Sequence, residues 1–206
     1  MIQLENITFN YKKSEVILLN TSYSFHKGEM YYLIGDNGTG KTTLAKLILN
    51  ILQPTKGTIR ISDINTITYL PDYNGLYPHL SIMENIKYRL AIYHLDYETY
   101  VNQIEEYLKK YKLEQYKNTQ VSLLSLGTKK KVAILCVAII PSDLLILDEP
   151  TGGLDKESRN EVFTMLKDLK NEDKIILCIT HDQIIIDSPI GKKITIKDKK
   201  VCEYYE

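Results

Sequence analysis

Leu124 to Thr151 read LSLGTKKKVAILCVAIIPSDLLILDEPT, so a Ser-x-Gly turn and an apolar helix come directly before a short apolar run. That run ends in the acidic pair Asp148 and Glu149. Strands that helices cover on both faces have this continuous apolar pattern. Two similar runs occur at Met30–Ile34 and Ile175–Ile179. Together the three runs predict an α/β fold with a largely parallel sheet.

The loop after Met30–Ile34 is rich in glycine and fits the pattern G-x-x-x-x-G-K-[ST] in full. Glycines let consecutive backbone N–H groups converge on phosphate oxygens at the start of a helix. The spacing of Leu44, Leu47, Ile48 and Ile51 predicts that helix. The candidate nucleotide-binding residues of the loop are Gly35, Asn37, Gly38, Thr39, Gly40, Lys41, Thr42 and Thr43.

These side chains and the acidic pair have complementary chemical roles. Lys41 is expected to reach the β- and γ-phosphates, Thr42 to offer its hydroxyl to Mg²⁺, and Thr43 to contact the α-phosphate. Asp148 can hold Mg²⁺ through water, which suits a cation that keeps its hydration shell. Glu149 can act as the general base on the attacking water. The motifs therefore predict binding and hydrolysis of ATP with Mg²⁺.

Other patterns predict parts outside the parallel core. The first 25 residues and Gly57–Leu70 alternate apolar and polar side chains, as in an antiparallel sheet. From Asp72 to about Leu124 the pattern is helical, with a capping box at Ser81 and Glu84. The C-terminal KKITIKDKKVCEYY predicts a closing hairpin. We predict a single domain over residues 1–206, with a P-loop NTPase core and antiparallel β subdomain at 1–71 and 125–206, and an inserted helical subdomain at 72–124.

Composition restricts the class of protein. The 26 basic and 26 acidic residues cancel, so charge gives no reason to expect nucleic acid as a partner. Lys129 to Lys131 are expected to be solvated. The longest apolar run, Val132–Ile140, is too short to span a bilayer. Cys136, Cys178 and Cys202 lack metal-ligand or disulfide spacing, which favours free thiols in a reducing cytoplasm.

On these motifs and their order, the chain resembles an ATP-binding cassette (ABC) ATPase, the nucleotide-binding subunit of ABC transporters, over essentially its whole length. The family signature LSGGQ contacts the nucleotide held by the partner subunit, and it matches Leu124 to Thr128. Leu126 replaces the first glycine and Thr128 replaces the glutamine. Ser125 and Gly127, which would meet the γ-phosphate across the dimer, are retained. The resemblance implies a head-to-tail dimer that encloses two ATP molecules.

The resemblance also assigns three residues outside these motifs. The aromatic that stacks on adenine corresponds to Tyr11, although a core tyrosine is an alternative interpretation. The switch histidine corresponds to His181, whose imidazole would hydrogen-bond the γ-phosphate. Asp155 resembles the loop that couples the two active sites, and it can alternatively cap the next helix.

Asp72 departs from the family pattern, which has glutamine in contact with the metal and the attacking water. Aspartate can still accept from water or approach Mg²⁺, but it adds negative charge near the triphosphate. Two unit charges about 4 Å apart interact by about 4 kcal/mol at an effective dielectric constant near 20. We therefore expect altered Mg²⁺ dependence or slower turnover than a glutamine version would show.

By the same resemblance, the chain would dock on separate transmembrane permease subunits at the cytoplasmic face of the membrane. Tyr73–Tyr93 is the expected docking surface. The phrases GLYPHLSIMENI and SLGTKKK are similar to those of bacterial exporters, which predicts export. Two alternatives stay open: an ABC ATPase that works without a transporter, and a partly degenerate cassette that binds ATP but hydrolyses it poorly beside an active partner. The second cassette can be identical or different.

Overall fold

The computed structural model describes residues 1–11, 15–170 and 173–205, which fall into two compact units. The first unit contains Met1–Ile67, Ser142–Glu149 and Lys170–Glu206, and the second contains Thr68–Pro141 and Pro150–Leu169. The elements in chain order are β1 (Ile2–Asn10), β2 (Val16–Phe25), β3 (Met30–Ile34), α1 (Lys41–Ile48), β4 (Lys56–Ile61), β5 (Ile67–Leu70), α2 (Ile82–Ile92), α3 (Tyr97–Lys110), α4 (Leu126–Ala138), β6 (Leu144–Asp148), α5 (Lys156–Asp168), β7 (Ile175–Thr180), α6 (Gln183–Ile186), β8 (Lys192–Lys197) and β9 (Lys200–Glu203). Short 3-10 helices occur at Glu114–Tyr116 and Val121–Leu123. The predicted α/β class is confirmed.

An antiparallel sheet of the first unit has the strand order β2-β1-β4. The buried side chains of β1 lie at positions 2 and 4 and then at 7 and 9, so their phase changes once. Asn6 has a φ of 52° there, and the register of β1 shifts at the same point. A Cβ on Gly57 would lie 2.4 Å from the carbonyl oxygen of Glu5, so only glycine lets β4 approach this bulge.

The other sheet of the first unit has the strand order β6-β7-β3-β8-β9. The first four of these strands run parallel, and β9 closes the sheet as the predicted C-terminal hairpin. Every residue of β3, β6 and β7 is buried, as the three apolar runs predicted. Ile34 pairs with Thr180, and Asp148 pairs with Ile179. The carboxyl ends of three strands therefore meet at one edge, where ligands bind in sheets of this kind.

The second unit is built mainly from helices. The predicted capping box at α2 is confirmed: Ser81 Oγ accepts from Glu84 N at 3.2 Å, and Glu84 Oε2 accepts from Ser81 N at 2.8 Å. Helix α4 is buried nearly all round from Lys130 to Val137, as expected for a helix inside the core. Within the described ranges, no helix is long and apolar enough to cross a membrane.

Three expectations are wrong in detail. Helix α1 ends at Ile48 and Asn50 turns the chain with a φ of 58°, so Ile51 lies outside the helix and is 61% exposed. Of the segment Gly57–Leu70, only β4 joins the antiparallel sheet, and β5 lies outside it. Lys130 and Lys131 are buried rather than solvated. The subdomain boundaries at 72 and 124 stay a prediction.

Candidate functional site

The glycine-rich loop connects β3 to α1 at the ligand-binding edge of the sheet. Gly40 is the residue before the helix and has a φ of 104°, a conformation that favours glycine. A Cβ at this position would lie 2.6 Å from Cγ2 of Ile17. Because Gly40 carries no side chain to cap α1, the first N–H groups of the helix are available to an anion.

Lys41 is bent back over this loop. Its Nζ donates to the carbonyl oxygen of Gly35 at 2.6 Å and to that of Asp36 at 2.8 Å, and the residue is only 6% exposed. Phosphate oxygens are stronger acceptors for an ammonium group than neutral carbonyls are. The arrangement therefore keeps a positive charge at the loop that an entering phosphate can attract.

Thr42 and Asp148 come together although they are 106 positions apart in the chain. Thr42 Oγ1 donates to Asp148 Oδ2 at 3.0 Å, and Asp148 is 4% exposed. A hydroxyl and a carboxylate are the oxygen ligands that Mg²⁺ prefers. Among the residues that the structure describes there is no group of three or more His, Cys, Asp or Glu side chains able to form a full metal cage. Two protein oxygens fit a Mg²⁺ ion that otherwise binds water and phosphate.

Glu149 and His181 form a second pair at this edge. Oε1 of Glu149 lies 2.9 Å from Nδ1 of His181, whose side chain is 62% exposed. Glu149 has a φ of 49°, and its N–H donates to the carbonyl oxygen of Ile179 at 3.0 Å. A non-glycine residue in this left-handed region costs on the order of 1–2 kcal/mol. The chain therefore uses a strained turn to place a carboxylate beside an exposed imidazole.

Tyr11 lies beside the glycine-rich loop. Its hydroxyl is 3.1 Å from Oγ1 of Thr43, and its ring packs edge-on against Phe9 at a centroid distance of 5.0 Å. Tyr11 is 43% exposed, which does not fit the interpretation as a core tyrosine. The ring thus has both a fixed position and an exposed part.

The other candidate site residues lie in the second unit. Ser125 is exposed and caps α4, since its Oγ accepts from Thr128 N at 3.2 Å and lies 2.9 Å from Thr128 Oγ1. Asp155 caps α5 by accepting from Ser158 N at 2.9 Å and from Ser158 Oγ at 3.2 Å. These bonds hold the pKa of the Asp155 carboxyl below its ordinary value. Asp155 thus acts as the helix cap that the sequence allowed.

Asp72 is exposed, and its backbone contacts a lysine that the sequence analysis expected to be solvated. Nζ of Lys130 donates to the carbonyl oxygen of Asp72 at 2.9 Å, and Lys130 is 4% exposed. Its neighbour Lys131 pairs with Glu161 at 2.8 Å. A run of three lysines gave no signal of these contacts, because each depends on a partner distant in the chain.

An open cavity of about 720 Å³ borders the glycine-rich loop and was not predicted. Its lining includes Gly35, Asp36, Thr39 and His181, together with residues of α6, β8 and β9, among them Cys202. In the first unit, the loop, the Thr42–Asp148 pair, the Glu149–His181 pair and this cavity are thus grouped at one edge of the sheet.

Comparison with known proteins gives a family. A profile described as ABC transporter matches residues 18–152. An uncharacterised ABC transporter ATP-binding protein of Methanocaldococcus jannaschii is 30% identical over 203 residues, which cover 98% of this chain and 76% of that protein. The spermidine/putrescine import ATP-binding protein PotA of Acetivibrio thermocellus is 34% identical over 194 residues, which cover 89% of this chain and 54% of that protein. Against a putative ABC transporter ATP-binding protein of Clostridium perfringens, 29% identical over 216 residues, the match covers 98% of this chain and 38% of the relative.

Solved structures agree with this assignment. The structure of an ATP-binding subunit of an ABC transporter superposes with a TM-score of 0.84 at 25% identity, covering 97% of this chain and 87% of that one. A dimeric ATP-binding cassette in a post-hydrolysis state, bound to ADP and phosphate, superposes with a TM-score of 0.81 at 25% identity over 100% of both chains. This chain therefore belongs to the ABC transporter family as an ATP-binding cassette, which makes it an ATPase.

Proposed function

We propose that this chain hydrolyses ATP to drive movement of a substance through separate membrane subunits. The observation that carries the proposal is the convergence of Lys41, the Thr42–Asp148 pair and the Glu149–His181 pair at the carboxyl ends of parallel strands. Phosphoryl transfer requires these groups: phosphate binding, metal ligands and a base for water.

Binding of ATP would begin at the glycine-rich loop. N–H groups from Gly35 to Gly40 and the start of α1 surround the phosphates. The ammonium of Lys41 moves from the loop carbonyls to the β- and γ-phosphates, and the hydroxyl of Thr43 contacts the α-phosphate. Tyr11, held beside Thr43, stacks on the adenine. The ordered positions of these groups before binding reduce the entropy lost on binding.

Hydrolysis would use the second pair. Glu149 accepts a proton from the attacking water, and Nδ1 of His181 holds Glu149 Oε1 in place. The other ring nitrogen of His181 would donate to the γ-phosphate when both ring nitrogens carry a proton. Thr42 and Asp148, with Asp72 as a further predicted ligand, would hold Mg²⁺, and the ion would supply positive charge at the transferring phosphoryl group. The ammonium of Lys41 adds a further positive charge at the phosphates.

A complete site would require a second cassette. Ser125 and Gly127 of that cassette meet the γ-phosphate, and Asp155 couples the two sites. Because Ser125 is exposed, it is accessible to such a partner. ATP closes the dimer and hydrolysis opens it. The dimeric state of the similar cassette bound to ADP and phosphate supports this part of the proposal.

Docking on the membrane subunits would use Tyr73–Tyr93, at the cytoplasmic face of the membrane. Tyr73, Tyr77 and Tyr88 are 78%, 47% and 43% exposed, and the last two rings pack edge-on at 4.6 Å. Asn85 is buried, and its Nδ2 holds the loop before α2 by donating to the carbonyl oxygens of residues 77, 80 and 81. Ordered, exposed aromatic side chains of this kind are enriched at protein interfaces.

Export is the direction we propose, on the similarity of GLYPHLSIMENI and SLGTKKK to exporter sequences. The relative PotA is named for import, so the direction needs its own test. Inside-out vesicles that carry the chain with its membrane subunits would accumulate an exported substance when ATP is added outside. Accumulation only in right-side-out vesicles loaded with ATP would instead establish import.

Steady-state Mg²⁺-ATP hydrolysis as a function of protein concentration tests the proposal, with Lys41→Ala as the blank. Activity that rises faster than linearly with concentration is expected for a catalytic homodimer. ATP binding without hydrolysis at any concentration would contradict the homodimer and favour a partner cassette or a membrane subunit.

Glu149→Gln gives a sharper test because it removes the base but keeps the shape of the side chain. We expect ATP binding to persist, hydrolysis to fall by about 10²–10⁴-fold, and ATP to trap a stable dimer visible by analytical ultracentrifugation. Hydrolysis at the wild-type rate would exclude Glu149 as the base.

A further inference from the structure

Gly127 and Ser158 fit closely together within the second unit. A Cβ built on Gly127 would lie 2.6 Å from Oγ of Ser158 and 3.0 Å from its Cβ. Contacts this short force one side to move. The first turn of α4 therefore rests against Ser158, and no residue larger than glycine fits at position 127 while Ser158 stays in place.

Ser158 is itself held from the other side. Its N–H and its hydroxyl both donate to the carboxylate of Asp155, at 2.9 and 3.2 Å. The bond from the hydroxyl to Asp155 Oδ2 holds Ser158 Oγ in one position, and in that position Oγ lies next to Gly127. Asp155, Ser158 and Gly127 thus form a continuous contact chain between two segments that are 28 positions apart in sequence.

A second contact joins the same segments. Gly153 has a φ of 76°, and a Cβ there would lie 3.3 Å from Cδ2 of Leu126. Leu126 is the residue that replaces the first glycine of the family signature, and it is 46% exposed. Its side chain is accommodated because position 153 has none. Arg159 Nε donates to the carbonyl oxygen of Leu154 at 2.8 Å and fixes this loop to α5.

We propose that Ser158 is a positioning residue, which sets the signature turn (Ser125–Thr128) and the Asp155 loop (Thr151–Asp155) in one fixed arrangement. This inference rests on the proposed function, in which both segments meet a second cassette. A fixed arrangement presents Ser125, Gly127 and Asp155 as one surface, so no ordering of one segment against the other is required when the dimer closes. Ser158 acts through its neighbours and does not touch the nucleotide.

The positioning role of Ser158 can be tested by enlarging residue 127 and shrinking residue 158, separately and together. In the Glu149→Gln background, Gly127→Ala is expected to weaken ATP-dependent dimerisation at least tenfold, because the added methyl meets Ser158. Adding Ser158→Gly removes both atoms that it meets and should restore dimerisation to within about threefold of Ser158→Gly alone. Thr164→Ala, which removes an exposed hydroxyl from the same helix, is the matched control and should change nothing.

Two readouts separate this inference from the proposed function. Binding of a fluorescent ATP analogue to the monomer should be equal in all variants, because the glycine-rich loop lies in the first unit and the substituted positions 127, 158 and 164 lie in the second. Without nucleotide, the effects of Gly127→Ala and Ser158→Gly on the unfolding equilibrium constant should be non-additive by at least tenfold. Additive effects of the two substitutions on unfolding would overturn the role of Ser158, because this readout does not involve the γ-phosphate that Gly127 is proposed to meet in the dimer. If no variant dimerises but the two substitutions affect unfolding non-additively, the proposed dimer is contradicted and the contact between Gly127 and Ser158 still stands.

Discussion

Asp143 stabilises the start of β6, and replacing it should cost a measurable free energy of unfolding. Its Oδ2 accepts from the N–H groups of Asn65 and Thr66 at 2.8 and 3.1 Å, and its Oδ1 pairs with Lys27 at 3.0 Å. These bonds, chiefly the two from backbone N–H groups, lower the pKa of Asp143 from 3.8 to about 2. The carboxylate therefore connects three separate segments of the first unit.

The magnitude follows from the pKa. A fall from 3.8 to about 2 corresponds to a preference for the ionised form of about 2.4 kcal/mol in the native state. Because the side chain is 23% exposed, we expect about 1–2 kcal/mol to be realised. Because the pKa of Asp143 is lower in the native state, ionisation of this carboxyl stabilises that state fully above pH 3.8. The stabilisation is lost as the pH falls through 2.

Asp143→Asn should therefore lower the free energy of unfolding by about 1–2 kcal/mol at pH 7, or lower the Tm by about 2–8 °C. Urea titrations followed by circular dichroism at several pH values between 7 and 2 measure the difference. The gap between wild type and variant should close towards pH 2. Lys27→Met removes only the ion pair and should cost less than half as much. A gap of equal size at pH 7 and pH 2 would refute the electrostatic reasoning.

Two other predictions concern the second unit. Asp72→Gln removes a carboxylate that we expect near the triphosphate. Half-maximal ATPase activity should therefore occur at a changed Mg²⁺ concentration, or turnover should rise. Identical Mg²⁺ titrations for variant and wild type would show that Asp72 is remote from the reaction. Ser81→Ala removes the hydroxyl that accepts from Glu84 N, at a cost of about 1 kcal/mol, so Tm should fall by about 2–4 °C while ATP hydrolysis by the isolated protein stays unchanged. A Tm equal to that of wild type would mean that another group caps α2.

The parts of the fold that sequence predicted are those with local causes. The loop around Lys41 follows from consecutive residues, and the carboxyl ends of parallel strands share an edge whatever the order of the strands. Sequence assigned Thr42 and Asp148 separately to Mg²⁺, and the shared edge explains why their side chains meet at 3.0 Å. The capping box at Ser81 and Glu84 is equally local, since the two residues are three positions apart.

The parts that sequence missed depend on distant partners. Lys130 belongs to a charged run, and only its bond to the carbonyl oxygen of Asp72, 58 positions away, explains its burial. Ile51 continued a helical period, but a residue with positive φ at position 50 ended the helix first. The close fit of Leu126 on Gly153 likewise requires the three-dimensional contact. Periodicity describes a segment and carries no information on which other segment meets it.

The distribution of the three thiols makes this protein convenient for spectroscopy. Cys136 and Cys178 are fully buried, and burial raises the pKa of Cys136 to about 12 and that of Cys178 well above its ordinary value. Since the thiolate is the reactive species, neither will react with alkylating reagents in the native state. Cys202 is half-buried and lines the cavity that Gly35 and His181 also line. A thiol-reactive fluorophore would therefore attach only at Cys202, beside the glycine-rich loop. It would report nucleotide entry without any engineered cysteine.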